Sequence, residues 1–316
     1  MRLGAVPEPA LRARFRTAGV RLRLAGLCIN IRTDIPAVIA HVLDMYVGHE
    51  LETGAGIDDF RIRLSYTGPF RRFVRRKTQI FIDGDVFIEP LPLRLAPLAL
   101  EAALNACINS IATKLVLHAA VVERDGLAVI LPAPSGSGKS TLCAALVMRG
   151  WRLLSDEHAV LRPADGRLQP VARSISLKNE SIPLIRAWAS DPHFSAIFHD
   201  TIDGTVAFLR PPADAVARIP ETAAPALIVS PAWQADVPVT LEPLGKSETF
   251  RRLADDSMNY HTTQRLGFDT LVGLVDSCAA YRLWYGPLAQ GVEAMEALVA
   301  RTRTERAANR PATTTV

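Results

Sequence analysis

Apolar and polar positions change period several times along the chain, and each change predicts an element. Residues 21–32 set Leu22, Leu24, Leu27 and Ile29 among polar neighbours, the pattern of a strand. Residues 35–46 then adopt the three- and four-residue spacing of a helix. Alternation returns over 61–66 and 78–82, and Asp83-Gly84-Asp85 turns the second run into another strand over 86–89, giving a hairpin. Pro90, Pro92 and Pro97 punctuate the exit, after which 98–112 carries the apolar repeat of a core-facing helix. Up to about residue 110 the pattern is that of a small α/β module.

Two apolar strands follow, over 115–123 and 127–131, and Arg124-Asp125-Gly126 between them signals a tight hairpin. Residues 140–148 predict a helix closed by Gly150, and 151–155 a strand that ends in Asp156-Glu157. The second half is less sharply patterned. It yields strands at 206–209, 226–229 and 281–285, and helices at 247–255, 268–278 and 291–301. Residues 303–316 are polar with small side chains, the composition of a disordered tail. The expected organisation is a small N-terminal α/β domain (1–110), a larger α/β domain (111–302) and the tail (303–316).

Composition narrows the function classes. Thirty-six Lys and Arg against 32 Asp and Glu leave a formal charge of +4 over 316 residues, too little to argue for a nucleic-acid partner. Basic residues are dense over 12–23 and 71–77, clusters that suit either a solvated face or an acidic partner. Cys28, Cys107, Cys143 and Cys278 form no C-x-x-C pair, so neither zinc nor a disulfide framework is suggested, and a reducing cytoplasm is the expected location. The opening residues hold Arg2, Glu8, Arg12, Arg14 and Arg16 with no apolar stretch between them, unlike a signal peptide. The most apolar run, 95–122, is interrupted by Glu101, Asn105, Asn109, Lys114 and His118 and is too polar to span a bilayer.

The strongest chemical signal is Ala133-Pro134-Ser135-Gly136-Ser137-Gly138-Lys139-Ser140-Thr141, a G-x-x-x-x-G-K-[ST] phosphate loop with Ala133 at the first Gly position. Glycines at 136 and 138 open backbone conformations in which successive N–H groups turn inward as an anion nest, and the following helix adds its dipole. Pro134 to Thr141 would bind the nucleotide, with Lys139 on the β- and γ-phosphates and the Ser140 hydroxyl on Mg²⁺. Ala133 is compatible as long as its φ stays negative. A phosphate loop alone says nucleotide and no more. One strand further on, Asp156 is placed to accept the proton of an attacking hydroxyl, while Glu157 helps to hold Mg²⁺. A purely metal-holding pair with water as nucleophile is the other reading of the same two carboxylates.

These stretches resemble the HPr kinase/phosphorylase relatives, in particular the group called HprK-related kinase A. The residues that carry the resemblance are 117–122 (Leu-His-Ala-Ala-Val-Val), the loop 134–141, 150–157 (Gly-Trp-Arg-Leu-Leu-Ser-Asp-Glu) and 176–179 (Ser-Leu-Lys-Asn). Weaker similarity extends to 204–212 and 105–108. The resemblance implies an HPr-kinase-like phosphate-loop core of mixed sheet and helices, similar to that of phosphoenolpyruvate carboxykinase. It also implies Ser/Thr phosphorylation of a protein or peptide by ATP and Mg²⁺, with Asp156 matching the catalytic aspartate. Glu157 departs from the second aspartate of the better-known HPr kinases, and no counterpart of the glycine-rich second signature of the bifunctional enzymes is evident, so the reverse activity is not implied. Relatives of similar length occur beside peptide-modification genes, some acting on lasso-peptide precursors, and HPr kinases form hexamers, so a peptide acceptor and a homo-oligomer are both implied.

The family has a His where His118 stands, near the phosphates; a lone His in an apolar strand is equally a core residue. Arg173 and Lys178 suit either the charge developing on a transferred group or a solvated loop, as does Arg210, and Asn259 and Tyr260 remain undecided between a substrate contact and structure. Three function classes compete: a protein or peptide kinase, a small-molecule kinase or ATP hydrolase using the same loop, and a nucleotide sensor without turnover. Intact Lys139, Ser140 and Asp156 argue against the last.

Overall fold

In the computed structural model, which describes residues 1–54, 56–68 and 77–308, helix α1 (Glu8–Arg16) leads into strands β1 (Val20–Leu24) and β2 (Leu27–Thr33). The single strand expected over 21–32 is therefore a hairpin, with Ala25 and Gly26 at φ 53° and 85°. Such a turn takes left-handed φ at both central positions, and Ala in the first conceals it from a search for Asn-Gly or Asp-Gly. After α2 (Pro36–Met45) the sheet continues through β3 (Phe60–Tyr66), β4 (Lys77–Ile82) and β5 (Asp85–Pro92), in that order from edge to edge. Its pairs are antiparallel except β2 with β3, which α2 connects as a parallel crossover. Of the basic cluster at 71–77, all but Lys77 lies outside the described residues. Helix α3 (Ala96–Asn109) covers this sheet and buries Leu100, Ala103, Leu104 and Cys107 against it.

The hairpin β6 (Leu115–Arg124) and β7 (Leu127–Pro132) turns through Asp125 and Gly126, at φ 54° and 78°. Helix α4 (Lys139–Met148) follows, then β8 (Arg152–Ser155), β9 (His158–Leu161) and β10 (Leu168–Gln169). Next come β11 (Ile175–Lys178), α5 (Ser181–Trp188), β12 (Phe198–Thr201), β13 (Gly204–Leu209) and α6 (Ala213–Ala217). The chain ends in β14 (Pro225–Trp233), β15 (Thr240–Pro243), α7 (Lys246–Asp255), α8 (Tyr260–Ser277), β16 (Ala279–Tyr285) and α9 (Leu288–Ala308). An eight-stranded mixed sheet runs β10-β9-β6-β7-β14-β16-β15, with β8 also on β6. Within it β7, β14 and β16 are parallel, and the remaining pairs antiparallel. The chain is thus a mixed α/β fold.

Leu142 and Leu146 of α4 and Val292 and Met295 of α9 pack on one face of the sheet, and Leu253 of α7 with Leu271 and Leu274 of α8 on the other. A third sheet, β11-β13-β12, sends Phe198, Val206 and Phe208 into the core of the N-terminal sheet. Residues from beyond position 110 therefore complete that core. Helix α8 begins at Tyr260 and passes a non-helical Gln264, whereas the sequence pattern gave only its second part. Helix α9 runs to Ala308, so 303–308 of the expected tail are helical, their side chains continuing a helix already anchored by Leu298 and Val299; residues 309–316 lie outside the described residues. No described helix is long and apolar enough to cross a membrane.

Candidate active site

The phosphate loop leaves the C-terminal end of β7 and enters α4 with Gly136 and Gly138 at φ 85° and 87°. Ala133 has no positive φ, which is why it fits the first position. Two loop carbonyls are held from outside: Ser137 O accepts from Trp233 N at 3.0 Å, and Gly138 O from the Tyr285 hydroxyl at 3.2 Å. Among the backbone amides of 135–138, only Ser137 N–H finds a backbone acceptor among the described residues, Pro134 O at 3.3 Å. The other amides and the free N–H groups of the first turn of α4 are donors awaiting an anion. Glycine is required at 138 twice over: its φ is left-handed, and a Cβ there would meet Tyr285 Oη and lie 2.9 Å from Trp233 Cβ.

The carboxylates arise from a break in pairing. Both β8 and β9 run antiparallel to β6, β8 against 121–123 and β9 against 115–118, and Asp156-Glu157 is the pair of residues between them. Such an irregularity re-aims side chains that a regular strand would send to alternate faces. Asp156 is 3% exposed, and its Oδ2 accepts from Ser176 N at 3.1 Å. Burial and the neighbouring Glu157 charge push its carboxyl up, against the pull of Lys139. Burial pushes Glu157 up as well, but the hydrogen bond from His118 and the charge of Lys139 outweigh it and hold that carboxyl low. The two adjacent acids are thus driven apart, one toward proton acceptance near neutrality and one fixed as an anion.

His118, one register position from this break, ties the loop to the carboxylates. Its Nε2 lies 2.7 Å from Lys139 Nζ and 3.1 Å from Glu157 Oε2. One ring nitrogen either accepts from Lys139 or donates to Glu157, so the two contacts belong to different protonation states of the ring. Lys139 itself is buried. The structure therefore brings Lys139, His118, Asp156 and Glu157 to one locus. A magnesium ion fits the residues present: Glu157 is held as an anion and Ser140 lies beside Asp156, while Asp156 Oδ1 is buried without a partner among the described residues and is left to take a proton. No three His, Cys, Asp or Glu side chains gather as a metal cage among the described residues.

The other expected cations are engaged elsewhere. Arg173 is buried, with Nη2 2.5 Å from Glu101 Oε2, Nη1 2.7 Å from Asn105 Oδ1 and Nε 3.1 Å from the Tyr46 hydroxyl. Its guanidinium is committed to α2 and α3 rather than held ready for a phosphate. Lys178 pairs with Asp203 at 3.1 Å, and Arg210 pairs with Asp44, which also binds His193. Asn259 is structural: its amide donates to Ile111 O and Lys114 O, at 2.5 and 2.8 Å, and its Oδ1 accepts from Val116 N at 2.9 Å. Sequence reading missed the Glu101 cluster, completed by His41 Nε2 at 2.8 Å from Glu101 Oε1. Its one signal is a charged residue on the apolar face of α3. A cavity of about 580 Å³ opens beside Ser155–His158 and is lined further by α3, β5 and β13.

Comparison with known proteins adds the following. The family described as "SynChlorMet cassette protein ScmC" matches residues 98–169, from the first turn of α3 to the end of β10, well under half of the chain. That segment includes His118, the loop, Asp156 and Glu157. Among solved structures the chain is similar to the HPr(Ser) kinase/phosphatase from Coxiella burnetii, at 14% identity over 60% of this chain and 97% of that one, with a TM-score of 0.27. So loose a superposition carries no argument, and the α/β assignment rests on the strands and helices described above. None of the curated proteins compared matches the chain.

Proposed function

We propose that this protein is an ATP- and Mg²⁺-dependent kinase that transfers the γ-phosphate to a Ser or Thr hydroxyl of a protein or peptide. The observation that carries the reading is the buried Asp156, its carboxyl pushed up toward neutrality, beside Glu157, which His118 links to Lys139 of the phosphate loop. The loop amides and Lys139 bind the triphosphate, and Asp156 takes the proton of the incoming hydroxyl. As that oxygen bonds to the γ-phosphorus, the bond to the β–γ bridging oxygen breaks, giving a phosphoester and ADP. Glu157 and Ser140 would hold Mg²⁺, which would neutralise charge on the phosphates. His118 stands between Lys139 and Glu157, accepting from the first or donating to the second. Calorimetric titration with ATP tests the first half: binding is expected with Mg²⁺ and is expected to weaken about 10- to 100-fold in Lys139→Ala. Unchanged affinity in that variant would remove the loop from the nucleotide site.

A further inference from the structure

The cavity beside Asp156 has no phosphate-loop residue in its lining, so it approaches the carboxylates from the side that a nucleotide on the loop leaves open. Asp156 lines it, together with Arg173 and Lys178. Its walls are apolar: Ile88 and Leu91 of β5, Leu98 and Ala102 of α3, Val206 and Phe208 of β13. A volume near 580 Å³ is that of a ligand site rather than a packing defect.

The charges inside are already answered. Arg173 is neutralised by Glu101 at 2.5 Å, and Lys178 by Asp203 at 3.1 Å. Of the other lining acids, Asp203 is spent on Lys178 and Asp200 on Arg94 at 3.1 Å, so among the described residues an acidic occupant meets Glu89 and finds no unpaired lining cation. A hydroxyl reaching an aspartate only 3% exposed must be carried in by something that fills the space around it.

Resting on the kinase reading above, we propose that this cavity is the acceptor site and that it selects a Ser or Thr next to a large apolar side chain. The apolar side chain seats between β5, α3 and β13, which sets the neighbouring hydroxyl against Asp156. The cavity is continuous with the reactive carboxylates, so filling it and placing the hydroxyl are one event. Acidic neighbours of the hydroxyl are disfavoured because the lining cations among the described residues are already paired.

The test uses the full chain, γ-labelled ATP with Mg²⁺, and a positional-scanning peptide pool with Ser or Thr fixed at the centre. Leu, Ile, Met or Phe beside the hydroxyl is expected to raise transfer about 10- to 100-fold over Gly, and Asp or Glu to lower it. Ala102 is exposed on α3 and lines the cavity, so Ala102→Trp fills it without entering the core. That variant is expected to raise the acceptor KM about tenfold and leave ATP affinity unchanged, and Ala102→Leu to fall between. Transfer that ignores the neighbouring residue and both substitutions overturns the acceptor site while leaving the kinase reading intact. Transfer to no peptide at all, with phosphate released to water, overturns both.

Discussion

Asp156 has one oxygen bonded to Ser176 N–H and the other without a partner among the described residues, so Asn fits the same space but gives up the negative charge and with it the capacity to accept a proton. Asp156→Asn is expected to hold ATP affinity within about threefold and to slow transfer by about 10²- to 10⁴-fold, read by titration and single-turnover kinetics. Equal loss of affinity and rate would make the carboxylate a nucleotide ligand instead. At this scale the loop, Asp156 and Glu157 were legible because their signal is local, a fixed spacing of Gly, Lys and Ser followed by two acids. Arg173 was not, since Glu101, Asn105 and Tyr46 come to it from other elements far back in the chain. Nothing in the neighbouring residues distinguishes a paired arginine from an available one.

At the scale of elements, the loop works only if β7, β14 and β16 hold it open from behind. Tyr285 ends β16 and Trp233 ends β14, and both bind loop carbonyls. Gly138→Ala therefore forces a left-handed alanine against Tyr285 and Trp233. The expected result is ATP affinity reduced at least about tenfold with the far-ultraviolet dichroism retained. Normal binding would show that the loop tolerates another path. The hairpins at Asp83-Gly84 and Asp125-Gly126 and helices α2, α3, α4 and α7 were legible, since turn chemistry and apolar period agree there. The short strands β9, β10, β11 and β12 were not; four or fewer residues leave too little pattern, and tertiary pairing decides them. The continuation at β9 was hidden for the same reason, although it creates the break that presents Asp156 and Glu157.

Across the whole molecule, a buried polar cluster joins the N-terminal sheet's helices to the core. Glu101 of α3 receives His41 of α2, Tyr46 just after it and Arg173 from beyond β10. Removing one partner of such a cluster strands the others, and Glu101→Ala is expected to cost about 3–5 kcal/mol in urea unfolding. A loss below about 1 kcal/mol would mean that water replaces the carboxylate. The same region sets an acid limit. His49 donates from Nε2 to Ala172 O at 3.0 Å, and its Nδ1 is buried without a partner among the described residues, so burial pushes the ring down from 6.5 to about 4. Burial raises Glu101, but Arg173 and His41 outweigh that and depress it from 4.5 to about 2. Both folded-state values lie below the unfolded ones, so this stability is complete above pH 6.5 and lost as pH falls, through His49 first and Glu101 below 4.5. His49→Gln is expected to flatten the decline between pH 6.5 and 4, a contribution on the order of 3 kcal/mol. An unaltered pH slope would show that His49 is protonated in the fold.

The central claim is phosphoryl transfer with Asp156 as the proton acceptor. Its most direct test is incubation of wild type and Asp156→Asn with γ-labelled ATP, Mg²⁺ and peptide acceptors, followed by mapping of the label. Label on a Ser or Thr oxygen with wild type, and about 10²-fold less or lower with Asp156→Asn at unchanged ATP affinity, is the predicted result. Label found only as free phosphate, or equal transfer by both proteins, would contradict it.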